Sequence, residues 1–366
     1  MVRRMAASAG TMPAALPGTG AGRLVYGNLV ADFRGLFFAW FLWFVFDWLL
    51  MLLMQVFEVL SLAARSEVMI EALLLLVAVC LGGLVFLACW NQRLRHRLLA
   101  QQRQVAILSA AQGLLKLMRR VQQHRGLSSG LLAGESGFLA GLVGKREEID
   151  VLLPSLRELA RSESAMSFPV LTLQDLALFR FHWRELSDKL QTLSVEQSIA
   201  QHTLLIGQLQ KWLAGLGESR IEPLLAAQAP AGLVRNYLVR LPALSELLGQ
   251  ARALGTAVAS QQACSAVARV RLTFLVARSE TLLAQALACS SEIPEADLAT
   301  RAVQQMARVV RTQMLLSSGI AVDAESYFAI ATRAIDAVFD WIDVSGVWVS
   351  AAVESQRAQT ELASVC

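Results

Sequence analysis

Acidic residues are missing from whole stretches of this chain. No Asp or Glu occurs from Ala72 to Gly134, from Leu247 to Ser279, or from Leu298 to Val322, although arginines are frequent in all three. Histidine is scarce, with four in 366 residues, and the five cysteines show no metal or disulfide spacing. Cys80 and Cys89 fall in an apolar run, and Cys264, Cys289 and Cys366 are isolated, which suits small buried hydrophobes and a terminal thiol. Lysines interleaved with aromatics are lacking, so nucleic acid is not indicated as a partner. A Ser-His-Asp set, a phosphate-cradling glycine loop and a metal-ligand repeat are lacking too, which argues against an enzyme and implies no cofactor. Alternating Val- and Ile-rich runs that would read as strands do not appear.

What is present is apolar and helical. Hydrophobic residues make up 55% of the chain, too many for an ordinary soluble domain and too few for a many-pass transporter. A short membrane part joined to a longer helical part would give this average. The apolar residues concentrate before residue 91. Ala72–Trp90 carries no charge, and its 19 residues at about 1.5 Å each span roughly 28 Å, close to a bilayer core. Glu67 and Glu71 precede it, whereas Arg93, Arg95, His96 and Arg97 follow, so the positive-inside rule puts the C-terminal remainder in the cytoplasm. The run 36–60 reads as a second span within a membrane region 35–90, its Asp47, Gln55 and Glu58 turned toward a partner helix. Alternatively, Met69 opens the natural chain and this run is no part of it. Residues 1–34 resemble neither a signal peptide nor a domain and read as a tail, or as untranslated.

From residue 91 onward, apolar residues at helical spacing fall into eight segments: 91–133, 138–163, 170–192, 195–215, 231–260, 265–289, 295–316 and 324–362. Ser194 and Gln197 have capping-box spacing, and Asp323 is placed to cap the last segment. Short connections favour antiparallel neighbours. The long connection at 215–230 divides the eight into two four-helix bundles, 91–217 and 218–362. The expected fold class is therefore all-α, with one or two transmembrane helices followed by two stacked four-helix bundles.

Arg125 draws attention within this frame. Its neighbours three and four residues away are Val121, Gln122, Ser128 and Ser129, so its own helix offers it no carboxylate. Gln123–Gly130 aligns with Gln250–Ala257, pairing Arg125 with Arg252, and in both an arginine precedes a leucine and a run of small residues. Small residues admit another helix closely, which would partly bury both arginines. A buried guanidinium costs several kcal/mol unless something pairs with it, and a planar delocalised anion suits its fork. The competing reading is that these arginines meet carboxylates on other helices, or face water.

Three stretches resemble a known family. Gln122–Ser136 (QQHRGLSSGLLAGES) is similar to the first-helix signature of the nitrate- and nitrite-sensing domain of bacterial antiterminators, chemoreceptors and kinases. Asn236–Ala257 (NYLVRLPALSELLGQARALGTA) resembles that domain's fifth helix, and Glu325–Trp341 (ESYFAIATRAIDAVFDW) its last. The resemblance implies two four-helix bundles with nitrate or nitrite held between them by arginines. Arg125 and Arg252 match the first- and fifth-helix arginines, and Arg311, with Arg308 as its rival, would supply one from the seventh helix. His124 stands where many relatives carry an acidic or basic residue, and could add a donor or simply pack. His96, His182 and His202 read as solvated or interfacial. The resemblance further implies a homodimer along the first and last helices, a place in the bacterial inner membrane, and a downstream signalling protein as listener. Some 20 residues follow the last motif, too few for the output module that relatives usually carry.

Overall fold

The computed structural model describes residues 46–58, 67–134, 136–225, 232–289, 293–315 and 319–362. Among them there is no strand. The chain divides into two compact units, 1–93 and 94–366.

In the first unit, residues 46–58 are helical. Leu52, Gln55 and Val56 face Met69, Ala72, Leu73 and Leu76 across a gap of about 470 Å³. The rest of the 36–60 run and the 1–34 tail lie outside the described residues. Helix α1 runs Glu67–Leu132, and its stretch Met69–Arg93 is long and apolar enough to cross a membrane. None of that stretch is buried by protein, as a lipid-facing surface requires.

Among the described residues the second unit is built of helices that follow most of the expected segments. After α1 come α2 (Leu139–Ser155) and α3 (Arg157–Ser164), one expected segment broken in two where Pro154 withdraws a backbone donor. Next are α4 (Leu173–Lys189) and α5 (Val195–Leu216), each opened by a full capping box, Thr172 with Asp175 and Ser194 with Gln197. A chain break expected from Gly215 is not there. A π turn, Gly217–Ile221, carries the helix on to Leu225. The glycines serve packing instead: a Cβ on Gly215 would stand 2.6 Å from Val170 Cγ1, and one on Gly217 would stand 3.3 Å from Leu238.

A short turn Leu233–Arg235 and a π turn Asn236–Arg240 lead into α6 (Leu241–Gln261), with Pro242 at its start. Gly232 opens this run with φ +85°, a value that suits glycine. Helices α7 (Ala266–Leu287), α8 (Pro294–Val309, followed by a π turn Val310–Met314) and α9 (Ala324–Leu362) complete the unit. Asp323 caps α9 by accepting from the Ser326 N–H at 2.8 Å.

Helices α2 to α5 pack in sequence, each on the next, and α6 packs on α7 and α9, with α8 on α7 and α9. Helix α5 also meets α6. Leu114, Met118 and Val121 of α1, Trp183 of α4, Trp212 of α5, Leu244 of α6 and Trp341 of α9 are buried in one continuous core. The last charged turns of α1 point into this core beside α5 and α6, and there the candidate site lies.

Candidate anion-binding site

The apolar stripe that buries α1 against its neighbours contains Gln122, His124, Arg125 and Ser128, all of them buried. Polar groups so placed need partners, and other helices supply them. Arg125 is 1% exposed and meets Glu246 of α6 through both oxygens, Nη1 to Oε1 at 2.6 Å and Nη2 to Oε2 at 3.0 Å. Its Nη1 also donates to Thr203 Oγ1 of α5 at 3.0 Å. The carboxylate that Arg125 lacks on its own helix therefore comes from another. Glu246 is fixed further by Gln122 Nε2 on Oε2 at 3.0 Å and Gln250 Nε2 on Oε1 at 2.9 Å.

Arg252 lies in the same contact and is 5% exposed, yet no carboxylate reaches it. Nη1 donates to Thr332 Oγ1 of α9 at 3.0 Å, Nη2 makes a long contact of 3.4 Å to the Gln122 carbonyl, and Nε has no partner. Its guanidinium sits 4.9 Å above the Phe328 ring, a weak substitute for an anion. Burial, and after it the charge of Arg125, lowers its pKa to about 10. The site thus contains one satisfied guanidinium and one under-satisfied guanidinium side by side.

Glycines make this crowding possible. A Cβ on Gly126 would stand 2.8 Å from Arg252 Nη2, and a Cβ on Gly249 would stand 2.5 Å from Arg125 Nη2. Each arginine crosses the other's helix at a residue without a side chain.

His124, beside Arg125 in sequence, also reaches α5. Its Nδ1 is 2.8 Å from His202 Nε2 of α5, and His202 Nδ1 is 2.7 Å from the Ser198 carbonyl. One set of neutral tautomers satisfies both bonds: His202 Nδ1–H donates to the carbonyl, and His124 Nδ1–H donates to His202 Nε2. Trp183 stands edge-on to His124 at 4.8 Å between ring centres. Burial first, and the charge of Arg146 second, lower the His124 pKa to about 4. Burial also holds His202 well below its ordinary value, with the neighbouring His124 adding to the effect. His202 is therefore a core residue, not a solvated one, whereas His96 and His182 are exposed.

The remaining expected arginine does not join this cluster. Arg311, within the π turn after α8, makes a bidentate pair with Glu280 of α7 at 2.6 and 2.5 Å, and its side chain is half exposed. Arg308 is exposed. Glu246, Gln122, Thr203, Thr332 and His202 are the members of the cluster that local spacing did not reveal.

A separate surface recess of about 1020 Å³ lies beside α1, α2 and α9, where Lys116, Arg119 and Arg120 face Glu148 and Asp343 across Phe339. Two of its cations are already engaged, Arg119 with Asp336 at 3.1 Å and Arg120 with Glu148 at 2.5 Å.

Known proteins can now be set beside this geometry. The model of the family described as nitrate and nitrite sensing matches residues 116–346, well over half of the chain. The chain belongs to the nitrate- and nitrite-sensing family. All of the buried cluster falls inside the matched region. The solved structure of the NasR transcription antiterminator is similar over 75% of this chain and 75% of that one, with a TM-score of 0.58 and 18% identity. At that identity the likeness is one of fold. No curated protein matches the chain at a significant level.

Proposed function

We propose that this protein is a membrane-anchored sensor that holds nitrate or nitrite between α1 and α6, against Arg252 and Arg125. The observation that carries the reading is Arg252: a guanidinium 5% exposed, with an unpartnered Nε and no carboxylate in contact. A small planar oxyanion is the group such a fork lacks. Membership of the sensing family supports nitrate or nitrite as that oxyanion.

In this reading the second unit is two four-helix bundles, 91–217 and 218–362, with Arg125 on the first and Arg252 on the second. Anion binding shifts the balance between arrangements of the two bundles by its difference in affinity for them. A signalling partner reads the shift, and a homodimer along α1 and α9 is its expected form. Met69–Arg93 anchors the protein in the bacterial inner membrane, with the basic run from Arg93 favouring a cytoplasmic second unit.

The fork of Arg125 favours a second reading. Because Glu246 already fills it, the cluster could serve as the polar core of a helical scaffold that binds no anion.

Thermal melting of the full chain in detergent, in chloride-free buffer, separates the two. Nitrate, nitrite, sulfate and chloride are titrated individually. A ligand at about 100 times its dissociation constant adds roughly 2.7 kcal/mol, several degrees for one domain. A rise with nitrate or nitrite that disappears in Arg252→Ala supports the sensor. A well-folded protein unmoved by either anion leaves the scaffold.

A further inference from the structure

The structure assigns to Glu246 the role of setting the charge of the ligand, so that the buried site accepts one monovalent anion and rejects a divalent one. The inference rests on the reading of Arg125 and Arg252 as the ligand's arginines, and goes beyond it by naming the residue that selects among anions.

The buried charges of the cluster do not cancel. Arg125 and Arg252 contribute two positive charges, and Glu246, 5% exposed, contributes one negative. His124 and His202 add none, because both sit neutral in their hydrogen-bonded pair. Asp336, the acidic group nearest Arg252 on α9, is about half exposed and engaged by Arg119, so solvent and that pair absorb most of its charge. The cluster therefore carries one uncompensated positive charge, centred on Arg252, whose Nε is unpartnered.

One monovalent anion brings the cluster to neutrality. A divalent anion would leave a net negative charge in a water-poor contact beside a carboxylate that cannot withdraw, and Coulomb repulsion at low dielectric makes that expensive. Glu246 cannot withdraw because both its oxygens are held, by Arg125, Gln122 and Gln250. It is a fixed charge rather than a gate. The same count explains why only one of the two arginines has a carboxylate: a second would close the site to anions altogether.

The test compares potassium nitrate with potassium sulfate at equal ionic strength, by thermal shift on the full chain in detergent. Wild type should be stabilised by nitrate and not by sulfate. Glu246→Gln keeps the shape and one acceptor but removes the charge, and the affinity for sulfate relative to nitrate should rise by about tenfold or more. Thr332→Glu, at a partly exposed position, presents Arg252 with the carboxylate it lacks, and should abolish the nitrate shift without lowering the melting temperature in the absence of anion. A folded Glu246→Gln with an unchanged sulfate-to-nitrate ratio overturns the assignment, as does equal stabilisation of wild type by both anions. If Glu246→Gln does not fold, Thr332→Glu decides, and a retained nitrate shift is the overturning result. Wild type unmoved by either anion removes the underlying site, and this role of Glu246 with it. Nitrate binding with no change of selectivity in Glu246→Gln removes the role alone.

Discussion

Arg125 and Arg252 cross one helix contact in opposite directions, the fork of Arg125 over Gly249 on α6 and the fork of Arg252 over Gly126 on α1. Their environments differ sharply despite this reciprocity. Arg125 is locked by a bidentate carboxylate, while Arg252 rests on a hydroxyl, a distant carbonyl and an aromatic face.

The two glycines should therefore not be equivalent. Gly249→Ala pushes against a guanidinium that Glu246 holds in place, and is expected to cost about 1–3 kcal/mol. Gly126→Ala pushes against the guanidinium of Arg252, which no carboxylate holds in place, and should cost less. Denaturant unfolding of the two variants gives the comparison, and equal losses would contradict the difference in anchoring.

The two arginines should separate stability from ligand response. Arg125→Ala strands a buried carboxylate and is expected to destabilise by about 3–5 kcal/mol, as for other broken buried pairs. Arg252→Met removes a buried cation that no carboxylate offsets, so the anion-free protein should melt at the same temperature or higher while losing its nitrate shift. Melting curves with and without nitrate test both statements together.

Arg311 is expected to be silent. Its pair with Glu280 is half exposed, and such pairs are worth about 0–1 kcal/mol. Arg311→Ala should leave the nitrate response of wild type intact. A lost response would place this π turn in the site after all.

Acid should weaken the fold through the histidine pair. Burial places the folded-state pKa of His124 near 4 and that of His202 well below its ordinary 6.5, so the unfolded chain binds more protons than the folded one below pH 6.5. The contribution of each is fully present above 6.5 and is lost as pH falls, by about 1.4 kcal/mol per pH unit and per group once well below that value. For His124 the loss runs down to about pH 4. Unfolding free energies measured from pH 7.5 to 4.5 should show this slope, and His202→Asn should flatten it. A stability independent of pH across that window would contradict the neutral pair.

The fold was largely legible because its signals are local. Ser194 with Gln197 and the Asp323 cap mark helix starts within four residues of sequence, and the segments expected at 231–260, 265–289, 295–316 and 324–362 appear close to those bounds. Gly215 misled because glycine serves a close approach as readily as a chain break, and only the position of Val170 distinguishes them. The site was half legible. Arg125 and Arg252 stand out because no carboxylate lies within four residues of either along the chain, but Glu246 is joined to Arg125 across 121 positions. It also lies one residue before the acid-free stretch that begins at Leu247. Arg311 lies outside the buried cluster, and its acid-free surroundings in sequence conceal Glu280 on the adjacent helix.

The absence of acids from α1 after Glu71 has a consequence for how the chain is made. Its cations find their counter-charges in Glu148, Glu246 and Asp336, contributed by α2, α6 and α9. On a ribosome the part of the helix after Trp90 emerges with cations as its only charged residues, and the groups that neutralise Arg120, Arg125 and Arg119 arrive later, in that order. Arg120 can be matched after a few dozen residues, Arg125 only once α6 has been synthesised, and Arg119 not until the final helix is out. Assembly around α1 is thereby ordered in time, from the amino-terminal end to the last helix.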